Sequence, residues 1–200
     1  MELSLSKQSR RSRSIALAIA LHLLAFTWAV PSHAAAAEGS AAAPGREYEI
    51  KAAFLYNFTK FVDWPAATFA DSGAPIVIGV LGDSPSAQAL ERLVRDRTVN
   101  GRTIVVRPIA SAEEATGTQL LFVSSTHEAQ FARLKAAIES LPVLTVGESA
   151  EFAALGGVID FVPQGDKIRF EINIGAAERA GLKISAQLQK LATVVRRSAT

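Results

Sequence analysis

Apolar residues recur at steps of three and four in the segment that follows residue 46. The recurring residues are Ile50, Phe54, Phe58, Phe61 and Val62. This spacing places them on one side of a helix and predicts a helix over residues 47–62 with a broad apolar face. The Trp-Pro dipeptide at 64–65 should end it, because a residue before proline is pushed out of the helical region.

Short continuous aliphatic runs follow the first helix. Four of them are predicted as buried strands: PIVIGV at 75–80, TIVVRPI at 103–109, LLFV at 120–123 and PVLTVG at 142–147. Helical spacing separates the first run from the second and the third from the fourth. Strands that alternate with helices predict a mostly parallel, twisted sheet with helices on both faces.

The C-terminal part departs from this rhythm. The sequence GGVIDFVPQGDKIRFEIN at 156–173 has two β-rich runs around a turn at 163–166, which is typical of an antiparallel hairpin. Ile184, Leu188, Leu191 and Val195 then form one stripe of a predicted closing helix. We therefore expect a single three-layer α/β domain over residues 47–196, followed by a tail at 197–200.

The N-terminal part has the layout of a secretory signal peptide. Four basic residues and one acidic residue in the first fourteen are followed by the apolar run IALAIALHLLAFTWAV and then by Pro31 and Ser32-His33-Ala34. The alternative is an uncleaved anchor, but the run is short for a membrane crossing. We expect residues 1–34 to be removed on export and residues 35–46 to be a flexible leader.

Charge and cysteine content narrow the possible functions. Without residues 1–34 the 21 basic and 19 acidic side chains become 17 and 18, a formal charge of −1. A near-neutral domain without a basic run gives no reason to expect nucleic-acid binding. Because the chain has no cysteine, it has neither disulfides nor thiolate ligands nor a thiol nucleophile.

Small polar residues follow three of the predicted strands. These candidates for a strand-end crevice are Asp83, Ser84, Ser124, Ser125, Gly147 and Glu148. In a parallel sheet, ligands bind outside the carboxyl ends of the strands. The six residues either line a crevice for a ligand or a partner loop, or they are ordinary loop residues.

Other chemistry has little support in the sequence. Ser125 with His127 could form a hydrolytic pair, but VSSTH lacks the glycines of a nucleophile elbow. The Gly82-Asp83-Ser84 turn lacks the remaining positions of a phosphate-binding loop. A single histidine in the mature chain gives no basis for a transition-metal site. We expect no catalytic residue, cofactor or metal.

The opening helix is apolar on more than one face. Phe54, Phe58 and Phe61 share one stripe and are predicted to be core residues. The residues off that stripe are Tyr48, Leu55, Tyr56 and Trp64. This surplus predicts a second contact: a homodimer, a membrane-bound sensor or another part of the same fold. We take these four residues as candidates for partner binding.

Several segments together resemble the YfiR-like family of periplasmic proteins. They are EYEIKAAFLYNFTKFVDWP, IGVLGDSP, VNGR, LLFVSSTHE, LTVGES, GGVIDFVPQGDKIRFEIN and AGLKISAQLQKLA, in the order of the family. The resemblance spans residues 47–195. It implies a small α/β domain that is not an enzyme and that represses an inner-membrane diguanylate cyclase through the periplasmic sensor portion of the cyclase.

The resemblance further implies low cyclic di-GMP and little biofilm until a stress signal relieves repression. It also implies sequestration of the repressor by an outer-membrane-associated lipoprotein. Well-studied members carry cysteines, so the absence of cysteine here excludes redox control through the chain's own thiols. Alternative functions are a periplasmic small-ligand-binding protein and an accessory protein of a histidine kinase.

Overall fold

The computed structural model describes residues 44–149 and 151–196 of the 200-residue chain. The predicted signal peptide and the tail at 197–200 lie outside the described residues. The first helix, α1, covers Pro44–Phe61. It begins three residues before the predicted start, so the last part of the expected flexible leader is helical. Proline suits this position because the first helical N–H groups have no partner within the helix.

Ten strands follow α1 in the described part of the chain. They are β1 (Val62–Asp63), β2 (Ile76–Leu81), β3 (Thr98–Val99), β4 (Arg102–Ile109), β5 (Leu120–Val123), β6 (Leu144–Gly147), β7 (Ile159–Gln164), β8 (Lys167–Asn173), β9 (Lys183–Ile184) and β10 (Val194–Arg196). The pair β1–β9 is antiparallel and separate. The other eight form one sheet in the order β10-β8-β7-β6-β5-β2-β4-β3.

The centre of this sheet is parallel. Strand β2 pairs with β4 on one side and β5 on the other, and β6 and β7 continue beyond β5. In chain order the five parallel strands lie as 2-1-3-4-5, which is the flavodoxin-like arrangement. The predicted mostly parallel sheet is confirmed, and its order reverses between β2 and β5.

Helices cover both faces of the sheet. After α1 they are α2 (Pro85–Val94), α3 (Ala112–Thr116), α4 (Glu128–Ile138), α5 (Ile174–Arg179) and α6 (Ala186–Leu191). One buried cluster unites the sheet with α1, α2, α5 and α6. A second cluster lies on the other face and includes residues of α3 and α4. Alternate strand residues, such as Leu120 and Leu121, enter different clusters, so the three-layer α/β fold is confirmed.

The C-terminal part confirms one prediction and corrects another. Strands β7 and β8 form the antiparallel hairpin, with Gly165 at φ +62° in its turn. The closing helix is wrong in extent, because α6 has six residues. The Ser185 side chain caps α6 by accepting from Leu188 N at 3.2 Å. Val195 belongs to β10, which pairs with β8. The β-branched residues at 193–195 favour this strand over a longer helix.

None of the helices within residues 44–149 and 151–196 combines the length and the apolar character that a membrane crossing needs.

Candidate functional site

The carboxyl ends of β2, β5 and β6 lie side by side because these strands are neighbours in the parallel sheet. The order of the strands reverses between β2 and β5, and ligands of such sheets bind at a reversal of this kind. All six predicted crevice residues follow one of these three strands or end it. The structure therefore brings them to the same edge of the sheet.

The loop after β2 caps the helix that follows it, α2. Ser84 is buried, and its Oγ accepts from Ser86 N at 3.2 Å, which caps α2. Asp83 is exposed. Gly82 has φ +88°, and a Cβ at this position would lie 2.2 Å from Nδ1 of His127. The imidazole of His127 therefore packs directly on the backbone where the order of the strands reverses.

A chain of short polar contacts follows β5. Ser124 N donates to Leu81 O at 3.1 Å. Its hydroxyl lies 2.9 Å from Oγ1 of Thr126, which in turn lies 2.9 Å from Nδ1 of His127. The imidazole thus has Thr126 as its side-chain partner, while Ser125 is exposed at the start of a 3-10 turn. These contacts give no support to a hydrolytic pair of Ser125 and His127.

Side chains also cover the end of β6. Gly147 is buried, and a Cβ there would lie 2.2 Å from Cγ of Phe152. Glu148 lies 3.1 Å from Nζ of Lys51, and the hydroxyl of Ser86 donates to the same carboxylate at 3.4 Å. This carboxylate joins α1, α2 and the end of β6 in one polar cluster.

Lys51 is the centre of that cluster and is almost buried, at 7% exposure. Its ammonium also pairs with Glu47 one helical turn earlier, at 2.8 Å. Burial alone would lower the pKa of Lys51. The hydrogen bond with Glu47 and the charge of Glu148 outweigh it, so the pKa of Lys51 lies above its ordinary value. The lysine is therefore a charged structural anchor at neutral pH.

These contacts occupy the polar groups at the strand ends. Ser84 caps a helix, Ser124 contacts Thr126 in its own loop and Glu148 is paired with a lysine. A nucleophile needs a base within reach, and a phosphate site needs free N–H donors. The arrangement instead locks the first helix to the sheet. Ligand binding by the crevice residues stays a prediction.

Asp160 on β7 is a buried carboxyl that the sequence reading passed over. One oxygen accepts from Ala153 N at 2.8 Å, while the other is buried without a hydrogen-bond partner. Burial raises the pKa of Asp160 to about 7, and the charges of Glu171 and Glu128 add to this effect. The N–H of Ala153 and the charge of Arg196 oppose it. A lone Asp between Ile159 and Phe161 was the signal in the sequence.

Phe58 of the aromatic stripe of α1 lies in the core as predicted, and the other two predicted core residues, Phe54 and Phe61, pack against the core. The rings of Phe54 and Phe58 contact Phe161 and Phe170 of the hairpin, with centroids 5.2 to 6.0 Å apart. Phe58 is fully buried, whereas Phe54 and Phe61 are half-buried. Contacts of this kind stabilise the fold through burial and ring geometry.

The four predicted partner-binding residues divide into two pairs. Leu55 has no exposed surface, and Tyr56 is 8% exposed beneath the ammonium of Lys60 at 4.1 Å. Their surplus apolarity is therefore used within the same fold, where α1 packs against α2. Neither side chain is exposed enough to contact a partner protein.

Tyr48 and Trp64 are half-buried. The indole N–H of Trp64 donates to Gln119 O at 2.9 Å. Trp64 also lines a groove of about 130 Å³ together with Phe69 and Arg102. The guanidinium of Arg102 lies over the Phe69 ring at 3.9 Å. Part of the indole is held by the backbone, and the groove leaves another part open to solvent.

Residues 44–149 and 151–196 contain no group of three or more His, Asp or Glu side chains that could hold a metal ion.

Two solved structures are similar to this chain at low sequence identity. One is described as a conserved domain protein from Vibrio cholerae O1 biovar El Tor str. N16961, with 12% identity and a TM-score of 0.50. The other is described as an ABC domain in complex with L-Trp from Streptococcus pneumonia, with 14% identity and a TM-score of 0.49. Each match covers 74% of this chain and 60% of the other. The likeness to the Vibrio cholerae protein concerns the fold alone.

No curated protein matches the chain. A family model does: the model described as YfiR/HmsC-like matches residues 48–193, from the first turns of α1 to the start of β10. The match covers both the aromatic helix and the hairpin against which it packs. The chain belongs to the YfiR/HmsC-like family.

Proposed function

We propose that this protein is a periplasmic regulator that restrains an inner-membrane diguanylate cyclase by binding its periplasmic sensor portion. The observation that carries the proposal is the family match over residues 48–193. The signal-peptide layout of residues 1–34 supports export. Restraint of the cyclase keeps cyclic di-GMP and biofilm formation low.

Such a function requires binding and no chemistry. The protein favours the inactive conformation of the sensor by binding it more tightly than the active one. The strand-end residues fit this role, because Ser84 caps α2 and Glu148 pairs with Lys51, and these contacts hold the domain together. A domain whose strand-end polar groups are already engaged in structural contacts is suited to a restraining partner.

Tyr48 on the opening helix and Trp64 just after β1 are the proposed contact residues. Both are half-buried, and aromatic side chains of this kind often carry much of the energy of an interface. Trp64 opens into the groove beside Phe69, where the ring and the guanidinium of Arg102 offer apolar and cationic surface. The sensor portion, an outer-membrane-associated lipoprotein and a second copy of the chain are the proposed partners.

Photo-crosslinking at the two contact positions tests the proposal. A benzophenone amino acid at Tyr48 or Trp64 should capture a diguanylate cyclase in intact cells. The same group at Glu91, an exposed position on α2, is the matched control. Capture of a histidine kinase, or equal labelling from Glu91, would argue against the cyclase assignment.

Polar substitutions at Tyr48 and Tyr56 distinguish a residue that contacts the partner from a residue of the core. Tyr48→Ser should weaken capture of the cyclase from the second position while the domain still unfolds cooperatively. Tyr56→Ser should lower the free energy of unfolding by about 3 kcal/mol, because it removes a buried ring. Urea unfolding of the two purified variants measures their stabilities, and crosslinking in cells measures the capture. Similar losses of stability in the two variants would contradict this assignment of roles.

A further inference from the structure

A groove of about 280 Å³ lies between the first half of α1 and the start of β8. Its floor is apolar and is formed by the half-buried residues Ile50, Phe54 and Ile168. Arg46, Ile50 and Phe54 recur every four residues and so share one face of the helix. The Phe54 ring meets Phe170 edge-on at 5.4 Å, which fixes the inner wall. The groove is thus an open continuation of the aromatic core.

The rim of this groove is basic. Arg46, Lys167 and Arg169 line it, against the single acidic residue Asp166. In the described part of the chain none of these three cations takes part in an ion pair, whereas Lys51 and Arg196 do. Arg46 on the helix and Lys167 and Arg169 on the outer side of the strand are unpaired cations beside the apolar floor, and they attract an acidic ligand. They disfavour a second copy of the chain, which would bring the same charges.

Strand β8 has an open edge beside the groove. Its partner β10 pairs only with Glu171–Asn173, and the bond from Thr193 N to Phe170 O, at 2.9 Å, precedes that pairing. Alternate residues of a strand direct their backbone groups to the same side. Because the C=O of Phe170 faces β10, the N–H and C=O of Ile168 point outward from the same edge of β8. Ile168 lies opposite Pro163, which has no N–H to offer. Among the described residues no strand continues β10 alongside Ile168.

The side chains along this edge alternate in character. Ile168 faces α1 together with Phe170, while Lys167 and Arg169 project to the other face of the sheet. A strand added here would present every second side chain to the apolar groove and the others to the two cations. Its complement is a segment that alternates apolar and acidic residues.

We propose that the edge of β8 at Lys167 to Arg169 and the adjoining groove form a docking site for an extended partner segment of alternating apolar and acidic residues, which binds by strand addition. The apolar side chains of the segment enter the groove, and its carboxylates pair with Lys167 and Arg169. This surface is separate from Tyr48 and Trp64, and the inference stands whether or not the partner is a cyclase.

Labelled peptides of about eight residues test the site by fluorescence anisotropy with the exported protein. A peptide alternating Val and Glu should bind about tenfold more tightly than one alternating Val and Lys, and the difference should shrink as salt screens the charges. The double variant Lys167→Glu, Arg169→Glu should reverse the preference. The variant Arg95→Glu, Lys183→Glu makes the same charge change just after α2 and on β9, and it should leave the preference as it is.

Methylation of alternate backbone nitrogens of the acidic peptide tests strand addition itself. Two peptides are needed, one methylated at the odd-numbered and one at the even-numbered backbone nitrogens. One of the two should not bind, because its methyl groups block the hydrogen bonds to Ile168, whereas the other should bind normally. Equal binding of the acidic and basic peptides, or equal binding of the two methylated peptides, would overturn the proposal. Self-association of the protein that is lost in the Lys167→Glu, Arg169→Glu variant would overturn it in favour of a second copy.

Discussion

Lys51 shows at the scale of one residue how the first helix is held to the sheet. Its ammonium is nearly buried and bridges Glu47 and Glu148. Lys51→Met should lower the free energy of unfolding by about 3 kcal/mol, because it leaves the carboxylate of Glu148 with a hydroxyl partner alone. Urea unfolding followed by circular dichroism measures the change.

Lys135→Met provides the matched control for Lys51. Lys135 pairs with Glu139 at 3.6 Å, but its side chain is 32% exposed and that of Glu139 is 55% exposed, so water reaches both charges. An exposed pair of this kind contributes little, so the control should change the free energy of unfolding by less than about 0.5 kcal/mol. An equal loss in both variants would show that the buried cluster is not an anchor.

Asp160 should make the stability of the domain depend on pH. Its pKa is about 7 in the folded protein, against 3.8 for an ordinary Asp. Between these values the folded protein keeps a proton that the unfolded chain has released. The free energy of unfolding should therefore fall as the pH rises from about 4 to about 7.

Asp160→Asn should remove most of this dependence, because its amide oxygen can still accept from Ala153 N without carrying a charge. At about pH 8 the variant should be more stable than the parent by about 1 to 3 kcal/mol, and at about pH 4 the two should be similar. Urea titrations at both pH values measure the difference. Asp83→Asn, at an exposed site, is the control. Parallel pH profiles of parent and Asp160→Asn would refute this account.

Only some of the residues that hold the first helix to the sheet could be identified from the sequence. Glu148 was found from its place after a strand, but Lys51 lies 97 residues earlier and gave no sign of being its partner. Leu55 and Tyr56 were taken for a second contact, and that contact proved to be within the same fold. A helical pattern shows that a face is apolar, but it does not show which neighbour covers that face.

At the scale of the element, the turn after β2 depends on Gly82. Its φ is +88°, and the His127 ring occupies the space of a Cβ. Gly101 has a similar φ of +80° with open space around it, so it separates backbone strain from steric conflict. Gly101→Ala should cost about 1 kcal/mol, and Gly82→Ala clearly more.

The double variant Gly82→Ala, His127→Ala completes this comparison. Removal of the ring should restore part of the stability that Gly82→Ala loses, because the conflict with Nδ1 disappears. Thermal unfolding of the three variants and the parent measures these differences. If Gly82→Ala and Gly101→Ala cost the same, the contact between His127 and the turn has no energetic role.

Elements with a long, regular pattern were predicted well. The helix α1 and the hairpin of β7 and β8 follow from apolar spacing and from turn residues. The C-terminal segment was not, because Ile184, Leu188 and Val195 also fit a helical spacing. Pairing of β10 with β8 decides the structure there, and that contact joins residues far apart in the chain.

At the scale of the whole molecule, alternating strands and helices predicted a parallel sheet but not the order of its strands. The reversal between β2 and β5 depends on where each crossover lies, and aliphatic runs contain no such information. Once the order is known, the strand-end residues can be placed at one edge. The structure shows a helix cap, an imidazole and an ion pair at this edge, which is where parallel sheets of this order bind ligands.

The central claim concerns cyclic di-GMP, and its level in cells tests that claim most directly. The nucleotide should be measured in a strain that lacks the gene, in the same strain with the full chain restored, and in one with a version without residues 1–34. The account predicts a rise on deletion that only the full chain reverses, since restraint acts from the periplasmic side. An unchanged level where the protein is expressed, or reversal by the version without residues 1–34, would contradict it.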